Sequence, residues 1–296
     1  MRRKMLTRRD FLKVASVAPL AGALLPALKG AAAGPEGKVR VVLVRDPNAV
    51  DAAGTPSAAV IQRMLDDAVM ALVGEKDPVK AWQTMIRPDD IVGIKTNGWG
   101  KLPTPTQVEQ AIKRRVMDAG VAEGMLSIDD RGVLRNPIFQ NATALINARP
   151  ARVHQWAGMG SCLKNYIQFV PRPSDYHGDS CADLATIWSL PHVKGKTRLN
   201  ILVMLTPLFY APGTIQYDKQ YVWSYKGLIV SRDPVAADAT GLRVLLAKGR
   251  EHFGQEQPPR MSPHHIFLAD TRHHLGVSGE DRIELIKLGW TEGILI

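Results

Sequence analysis

Residues 154–183 concentrate side chains that could carry chemistry. These 30 residues include two histidines, three aspartates, both cysteines of the chain, a lysine followed by an asparagine, and a Gly-x-Gly turn. The segment has neither the 3.6-residue period of a helix nor the 2-residue period of a strand, which predicts loops. Because long irregular segments inside compact domains are commonly functional, we predict that the site lies here.

His154, Lys164 and His177 are the candidate catalytic residues. Neutral imidazole binds borderline metals and changes protonation near neutral pH, so two histidines can act as metal ligands or as an acid/base couple. A lysine in a partly desolvated pocket can act as a base, form an imine or hold an anion. Asp238 is the candidate third metal ligand, whereas Asp233 is better placed to cap the predicted helix. The alternative is that each histidine is an ordinary core or loop residue.

Further polar residues follow the ends of predicted strands. Lys95 and Asn97 end one strand, Arg131 follows the next, and Asn165 stands beside Lys164. The carboxyl ends of parallel strands share one edge of a sheet, where ligands commonly bind. We therefore expect Lys95, Asn97, Arg131 and Asn165 to bind a carboxylate or phosphate group of a small anionic molecule. A solvated loop is the alternative for Lys95 and Asn97.

Cys162 and Cys181 allow two interpretations. An oxidising compartment favours a disulfide, which would close about 20 residues and contribute ~3 kcal/mol. The other interpretation is a soft metal site shared with His154 or His177. Four further histidines stand in adjacent pairs, which on a strand would point to opposite faces, so we expect a polar edge there: His264, His265, His273 and His274.

Apolar runs and helical periods alternate along the chain. Predicted strands cover residues 38–45, 90–95, 125–128, 151–154, 199–205 and 227–231, and predicted helices cover residues 57–73, 77–85, 104–119 and 233–248. This alternation predicts an α/β fold, a mostly parallel sheet with helices on both faces in three αβα layers. We expect residues 38–296 to form a single domain, with a strand, a turn and a short helix in residues 261–290 as a small C-terminal appendage.

Residues 1–33 have the pattern of a twin-arginine signal peptide. The motif RRDFLK at residues 8–13 precedes an apolar stretch and an alanine triplet at residues 31–33. The apolar stretch has about 15 residues, fewer than the ~20 that span a membrane, so we expect cleavage near Ala33 rather than anchoring. We predict export by the twin-arginine translocase to the periplasm, with no stable membrane span after cleavage.

Cleavage would change the charge that bears on partners. The leader holds seven Lys or Arg and one Asp, so the formal net charge of +10 falls to +4 for the remaining residues. We see no lysine-rich stripe or aromatic platform and expect no nucleic-acid partner. Twin-arginine substrates are exported folded, often with a cofactor inserted, which favours a metal ion or metal–organic cofactor.

Several ordered motifs resemble the domain of unknown function 362 family over residues 39–283. They are Ile94-Lys95-Thr96-Asn97, His154, Leu163-Lys164-Asn165, Pro171, His177, Asp183 and Asp233-Pro234-Val235-Ala236 with Asp238. The resemblance implies no established activity, although some relatives carry ferredoxin-like iron–sulfur modules. This chain has two cysteines where a cubane cluster needs about four ligands, so we expect no such cluster. It also departs at Leu202-Val203-Met204-Leu205, where relatives commonly place an aspartate.

The order of His154, Lys164, Pro171 and His177 is also similar to that of nickel-pincer lactate racemase, with ten positions from His154 to Lys164. That likeness implies that the lysine holds a pyridinium cofactor and that a histidine contacts the metal.

Together these features predict an exported metal- or cofactor-dependent enzyme that acts on a small anionic substrate, as an oxidoreductase or an isomerase of the racemase kind. The alternative is a non-catalytic periplasmic accessory that binds a ligand or transfers electrons to a redox partner protein.

Overall fold

A computed structural model describes residues 37–213, 216–255 and 262–296. The predicted signal peptide, residues 1–33, lies outside the described residues.

Eight strands of the described chain form one sheet. They are β1 (Val39–Arg45), β2 (Val92–Lys95), β3 (Leu126–Asp129), β4 (Ala144–His154), β5 (Gly158–Gly160), β6 (Thr197–Leu208), β7 (Gly227–Ser231) and β8 (Ile283–Gly289). The order across the sheet is β3-β2-β4-β6-β7-β1-β8, and β5 pairs with β4. Strand β7 is antiparallel to both of its neighbours, β5 is antiparallel to β4, and the other pairings are parallel.

Helices cover both faces of this sheet. They are α1 (Ala58–Val73), α2 (Pro78–Gln83), α3 (Thr106–Asp118), α4 (Pro137–Asn141), α5 (Cys162–Asn165), α6 (Pro234–Phe253) and α7 (His264–Thr271). Helices α1 to α3 bury apolar residues such as Ile61 and Val108 against one face. On the other face α6 and α7 contribute Val235 and Ile266 to a second core. The predicted three-layer αβα fold is therefore confirmed.

The start of α6 shows how the sequence sets an element boundary. Asp233 accepts hydrogen bonds from the backbone N–H groups of Val235 (2.8 Å) and Ala236 (3.0 Å), and Pro234 occupies the first helical position. Both features satisfy or remove backbone donors that a helix start leaves unpaired. The prediction that Asp233 is an N-cap is confirmed.

The predicted order of elements in the C-terminal segment is wrong. Helix α7 comes first and strand β8 last, and β8 pairs with β1 along its whole length as the edge of the sheet. Leu285 packs against one core, whereas Ile286 and Leu288 pack against the other. Apolar residues on both faces of an edge strand remove the alternation of apolar and polar residues that marks a strand. The sequence of β8 therefore has apolar spacing that resembles that of a helix.

Among the described residues, no helix combines the length and apolarity needed to span a bilayer.

Candidate functional site

An irregularity near the end of β4 places two arginines at one edge of the sheet. Successive residues of a strand point to opposite faces, so Arg149 and Arg152, three positions apart, would ordinarily be separated. The register of β4 on β6 shifts between Pro150 and Arg152. Such shifts re-aim the side chains that follow them. Both arginines consequently line the same cleft.

This cleft has a volume of about 220 Å³ and lies beyond the carboxyl ends of β2, β3 and β4. It is called the anion cleft below. Six of the predicted site residues line it, namely Asn97, Arg131, His154, Lys164, Asn165 and His177. The segment between β4 and β6, predicted to form loops, therefore converges with the ends of β2 and β3. It contains β5, α5 and several short 3-10 turns.

Three cations of the anion cleft are buried and form no ion pair with a described residue. Lys164, Arg149 and Arg152 are 2%, 4% and 5% exposed. The Lys164 Nζ and the Nε atoms of both arginines have no hydrogen-bond acceptor among the described residues. The Arg152 guanidinium lies 4.0 Å from the ring centre of Trp99, a cation–π contact rather than an ion pair.

Burial dominates the protonation of these groups. It lowers the pKa of Lys164 to about 8 and that of Arg149 to about 10. Burial, together with the nearby charge of Arg149, lowers the pKa of Arg152 to about 9. Lowered values mean that the charged forms are under-solvated. Asp130 and Asp238 partly offset the effect of burial on Arg149. At neutral pH all three groups remain predominantly cationic, and the cleft carries an excess of positive charge.

Among the described residues that line the cleft, Asp130 supplies the carboxylate, and this carboxylate is already paired with Lys95. The Nζ of Lys95 lies 2.5 Å from its Oδ1, and the Gly98 N–H donates to its Oδ2 (2.8 Å). Burial raises the pKa of Asp130, but Lys95, the Gly98 N–H and Arg149 together outweigh this effect and the pKa is lowered overall. Lys95 itself lies beneath the cleft rather than in its lining, which corrects the prediction that it contacts the ligand.

His154 is held as a neutral hydrogen-bond donor. The backbone N–H of Trp156 donates to its Nδ1 (3.2 Å). An amide N–H can only donate, so Nδ1 is unprotonated and the neutral ring carries its hydrogen on Nε2. Burial, reinforced by Arg152 and Lys164, lowers the pKa of His154 far below its ordinary range. His154 therefore suits contact with an oxyanion better than it suits proton abstraction.

Asp238 positions the short helix that carries Lys164. Its two oxygens accept hydrogen bonds from the backbone N–H groups of Cys162 (2.8 Å) and Leu163 (2.9 Å) and from the Ser161 hydroxyl (2.6 Å). Asp238 is fully buried and does not line the anion cleft. Its carboxylate acts as the anchor of α5, and it does not join His154 as a metal ligand.

Asn165 belongs to a chain of buried amides beneath the cleft. Its Nδ2 donates to Asn147 Oδ1 (2.8 Å), and Asn147 Nδ2 donates to Asn200 Oδ1 (3.0 Å). Asn165 Nδ2 is also 3.2 Å from the Lys95 carbonyl oxygen. The chain ties α5 to β2, β4 and β6, so Asn165 fixes the height of Lys164 above the sheet.

The two cysteines are buried free thiols, so the disulfide that one of the two interpretations allowed is not formed. Burial raises the pKa of both thiols; Asp238 raises that of Cys162 further, whereas Lys164 partly lowers that of Cys181. Both thiols therefore stay protonated at neutral pH, which disfavours soft-metal binding because that requires thiolates.

The C-terminal histidines do not form a polar edge. His264 and His265 begin α7, where His264 Nε2 lies 2.6 Å from the Asp179 carbonyl oxygen. His265 is fully buried, and neither ring nitrogen has a hydrogen-bond partner among the described residues. Burial lowers its pKa to about 3, with Lys164 adding to the effect. His265 is therefore a neutral, buried residue near Lys164. No sequence pattern predicted this position.

The donor set does not fit a bare metal ion. In the described ranges no group of three or more His, Cys, Asp or Glu side chains lies close enough together to hold one. The three residues predicted as metal ligands are not brought together, because Asp238 is engaged elsewhere. The buried positive charge of the cleft would also repel a cation.

The sequence of the chain matches a known protein family. The model described as domain of unknown function (DUF362) matches residues 42–243, well over half of the chain. The chain belongs to this family. Matching residues include β2, β4, α5 and the start of α6, so the elements that build the anion cleft are those of the DUF362 domain. No curated protein and no solved structure matches the chain.

Proposed function

We propose that this DUF362 protein binds a small anion in the anion cleft and transfers a proton to or from it, as an enzyme of the isomerase class. One observation carries the proposal: Arg149, Arg152 and Lys164 are buried around a cavity of about 220 Å³ with no carboxylate paired to them in the described chain.

The energetics favour an anionic occupant. Burying an ion costs several kcal/mol unless a partner charge and hydrogen bonds compensate for the lost hydration. Three buried cations around one cavity have no ion-pair partner within the described protein. An anionic ligand would supply the partner charge. Donors fixed in place before the ligand arrives also bind it without reorganisation.

The same geometry supports proton transfer. Lys164 has a pKa of about 8, which allows it to gain or lose a proton near neutral pH. His154 presents Nε2–H as a neutral donor that would stabilise negative charge on a reacting oxygen. The pyridinium cofactor that the likeness to lactate racemase implies, if held by Lys164, would place any anionic group it carries beside the same arginines.

Binding is tested by calorimetric titration of the purified chain with sodium sulfate at constant ionic strength. We expect saturable binding that Arg149→Met weakens at least tenfold, because a hydrogen-bonded charge pair is lost. Arg87→Met is the matched control, since Arg87 is exposed before β2, at the opposite edge of the sheet. Equal affinity in all three proteins, or no binding at all, would overturn the proposal.

Catalysis is tested separately from binding. The wild-type chain is incubated in D₂O with small hydroxy acids and dicarboxylates, and NMR records exchange of carbon-bound hydrogen. We expect exchange that Lys164→Met abolishes, while the variant still binds sulfate through Arg149 and Arg152 with lower affinity. Sulfate binding without exchange on any carboxylate would instead support the non-catalytic accessory.

We also propose that residues 1–33 direct export of the folded protein to the periplasm. The support is the motif RRDFLK at residues 8–13. Replacing Arg8 and Arg9 by lysine should leave the full-length precursor in the cytoplasm. Unchanged export of the double variant through the general secretory route would contradict this.

A further inference from the structure

Trp156 is an exposed indole fixed at the wall of the anion cleft. It is 46% exposed, the highest value among the large apolar side chains of the described chain that stand out to solvent. The others, Met117, Met125 and Phe267, do not line the cleft. An apolar ring left open beside a strongly cationic cavity is surface that a ligand could cover.

The position of Trp156 is held from two sides. Its backbone N–H donates to His154, and its ring centre lies 4.5 Å from that of His177, with the planes tilted by 44°. The ring centre of His154 is 5.9 Å away. These contacts form a row of rings, His154, Trp156 and His177, along the lining of the cleft. The indole is therefore a fixed platform.

We infer that the ligand combines its anionic group with a flat unsaturated ring that stacks on Trp156. This rests on the proposed anion binding, which the buried cations carry independently of the indole. A cavity of about 220 Å³ is smaller than the ~300 to 1,000 Å³ of sites for drug-sized ligands. The occupant is accordingly a single ring with one or two short anionic groups, such as an aromatic or heteroaromatic carboxylate.

Two dianions that differ only by the ring provide the probe. Phthalate and maleate both carry two carboxylates on a cis double bond, and phthalate adds the benzene ring. Stacking on an aromatic side chain contributes ~0.5 to 1.5 kcal/mol, so we expect phthalate to bind about 2- to 12-fold more tightly than maleate. Both are titrated calorimetrically into the full chain at pH 7.5 and constant ionic strength.

Variants assign any preference to the indole. Trp156→Leu should remove the preference for phthalate and leave sulfate affinity within about twofold, because the backbone contact to His154 remains. Phe267→Leu is the matched control, since Phe267 is similarly exposed, at 44%, but lies outside the cleft lining.

The outcomes separate the two proposals. Equal binding of phthalate and maleate by a wild type that does bind sulfate would overturn the ring inference alone. A preference that persists in Trp156→Leu, or a loss of sulfate binding in that variant, would also overturn it, because the indole would then not be a stacking platform. A wild type that binds none of the three anions would overturn the proposed function itself.

Discussion

Replacing Lys164 by methionine should stabilise the ligand-free protein at neutral pH. Burial lowers the pKa of Lys164 from 10.5 to about 8; the Cys181 thiol offsets this only in part, and no described carboxylate pairs with the ammonium. Each pH unit between these values corresponds to ~1.4 kcal/mol, so the charged lysine destabilises the native state by on the order of 3 kcal/mol. Methionine has a similar shape and no charge, and it removes that penalty.

The pH dependence follows from the direction of the shift. Below pH 8 Lys164 is charged in the folded and unfolded chains, and the penalty is complete. Between pH 8 and 10.5 the unfolded chain binds more protons than the folded one, so wild-type stability rises with pH relative to the variant. Above pH 10.5 both states are neutral, and the electrostatic part of the difference vanishes.

Urea unfolding of both proteins from pH 7 to 10.5, without added anions, measures this difference. At pH 7 the gain of ~3 kcal/mol corresponds to roughly 6 to 12 °C in melting temperature for a chain of this size. Lys95→Met is the contrasting control, because it strands Asp130 without its partner and should destabilise by ~3 to 5 kcal/mol. If Lys164→Met is as destabilising as Lys95→Met, then Lys164 is a structural ion-pair partner and our account of the cleft fails.

Four further predictions concern the same region. Sulfate affinity should fall as pH rises above about 8, because Lys164 loses its charge while sulfate keeps its own; calorimetry showing constant affinity up to pH 10 would exclude Lys164 from the site. Asp238→Asn should destabilise the native protein by ~1 to 3 kcal/mol, because one of the oxygens that accept hydrogen bonds at the start of α5 is replaced by a donor. It should also weaken sulfate binding, although Asp238 does not line the cleft. An unchanged melting temperature and unchanged sulfate binding would show that Asp238 does not position Lys164. His265→Leu should leave the melting temperature unchanged or higher, since neither ring nitrogen makes a hydrogen bond of good geometry; a fall of several degrees would show that the Ala157 backbone is a stabilising partner. A chelator should not alter the melting temperature, and a clear fall would show a bound metal that the donor set does not indicate.

The sequence predicts the layers of the fold and much of the site, because both depend on local patterns. Apolar runs mark β1, β6 and β7, and polar residues after β2 and within the β4–β6 segment mark the cleft. Parallel strands bring their carboxyl ends to one edge, which is why Asn97, Lys164 and His177 meet as predicted.

The charge that defines the cleft could not be predicted in the same way. Arg149 and Arg152 lie three apart on a strand, and strict alternation would separate them; the register shift that reunites them depends on β6, not on local sequence. A visible signal was the presence of two arginines, one on each side of Pro150-Ala151, within a mostly apolar strand. The burial of Lys95 and the anchoring role of Asp238 likewise depend on contacts with residues 35 and about 75 positions away.

A crystal structure of the protein grown with sodium selenate would test the anion cleft most directly, since selenium can be located by its anomalous scattering. We predict a selenate ion within hydrogen-bonding distance, ~2.7 to 3.2 Å, of the guanidinium groups of Arg149 and Arg152 and the ammonium of Lys164. A cleft without selenate, while selenate occupies other surface positions in the same crystal, would contradict it.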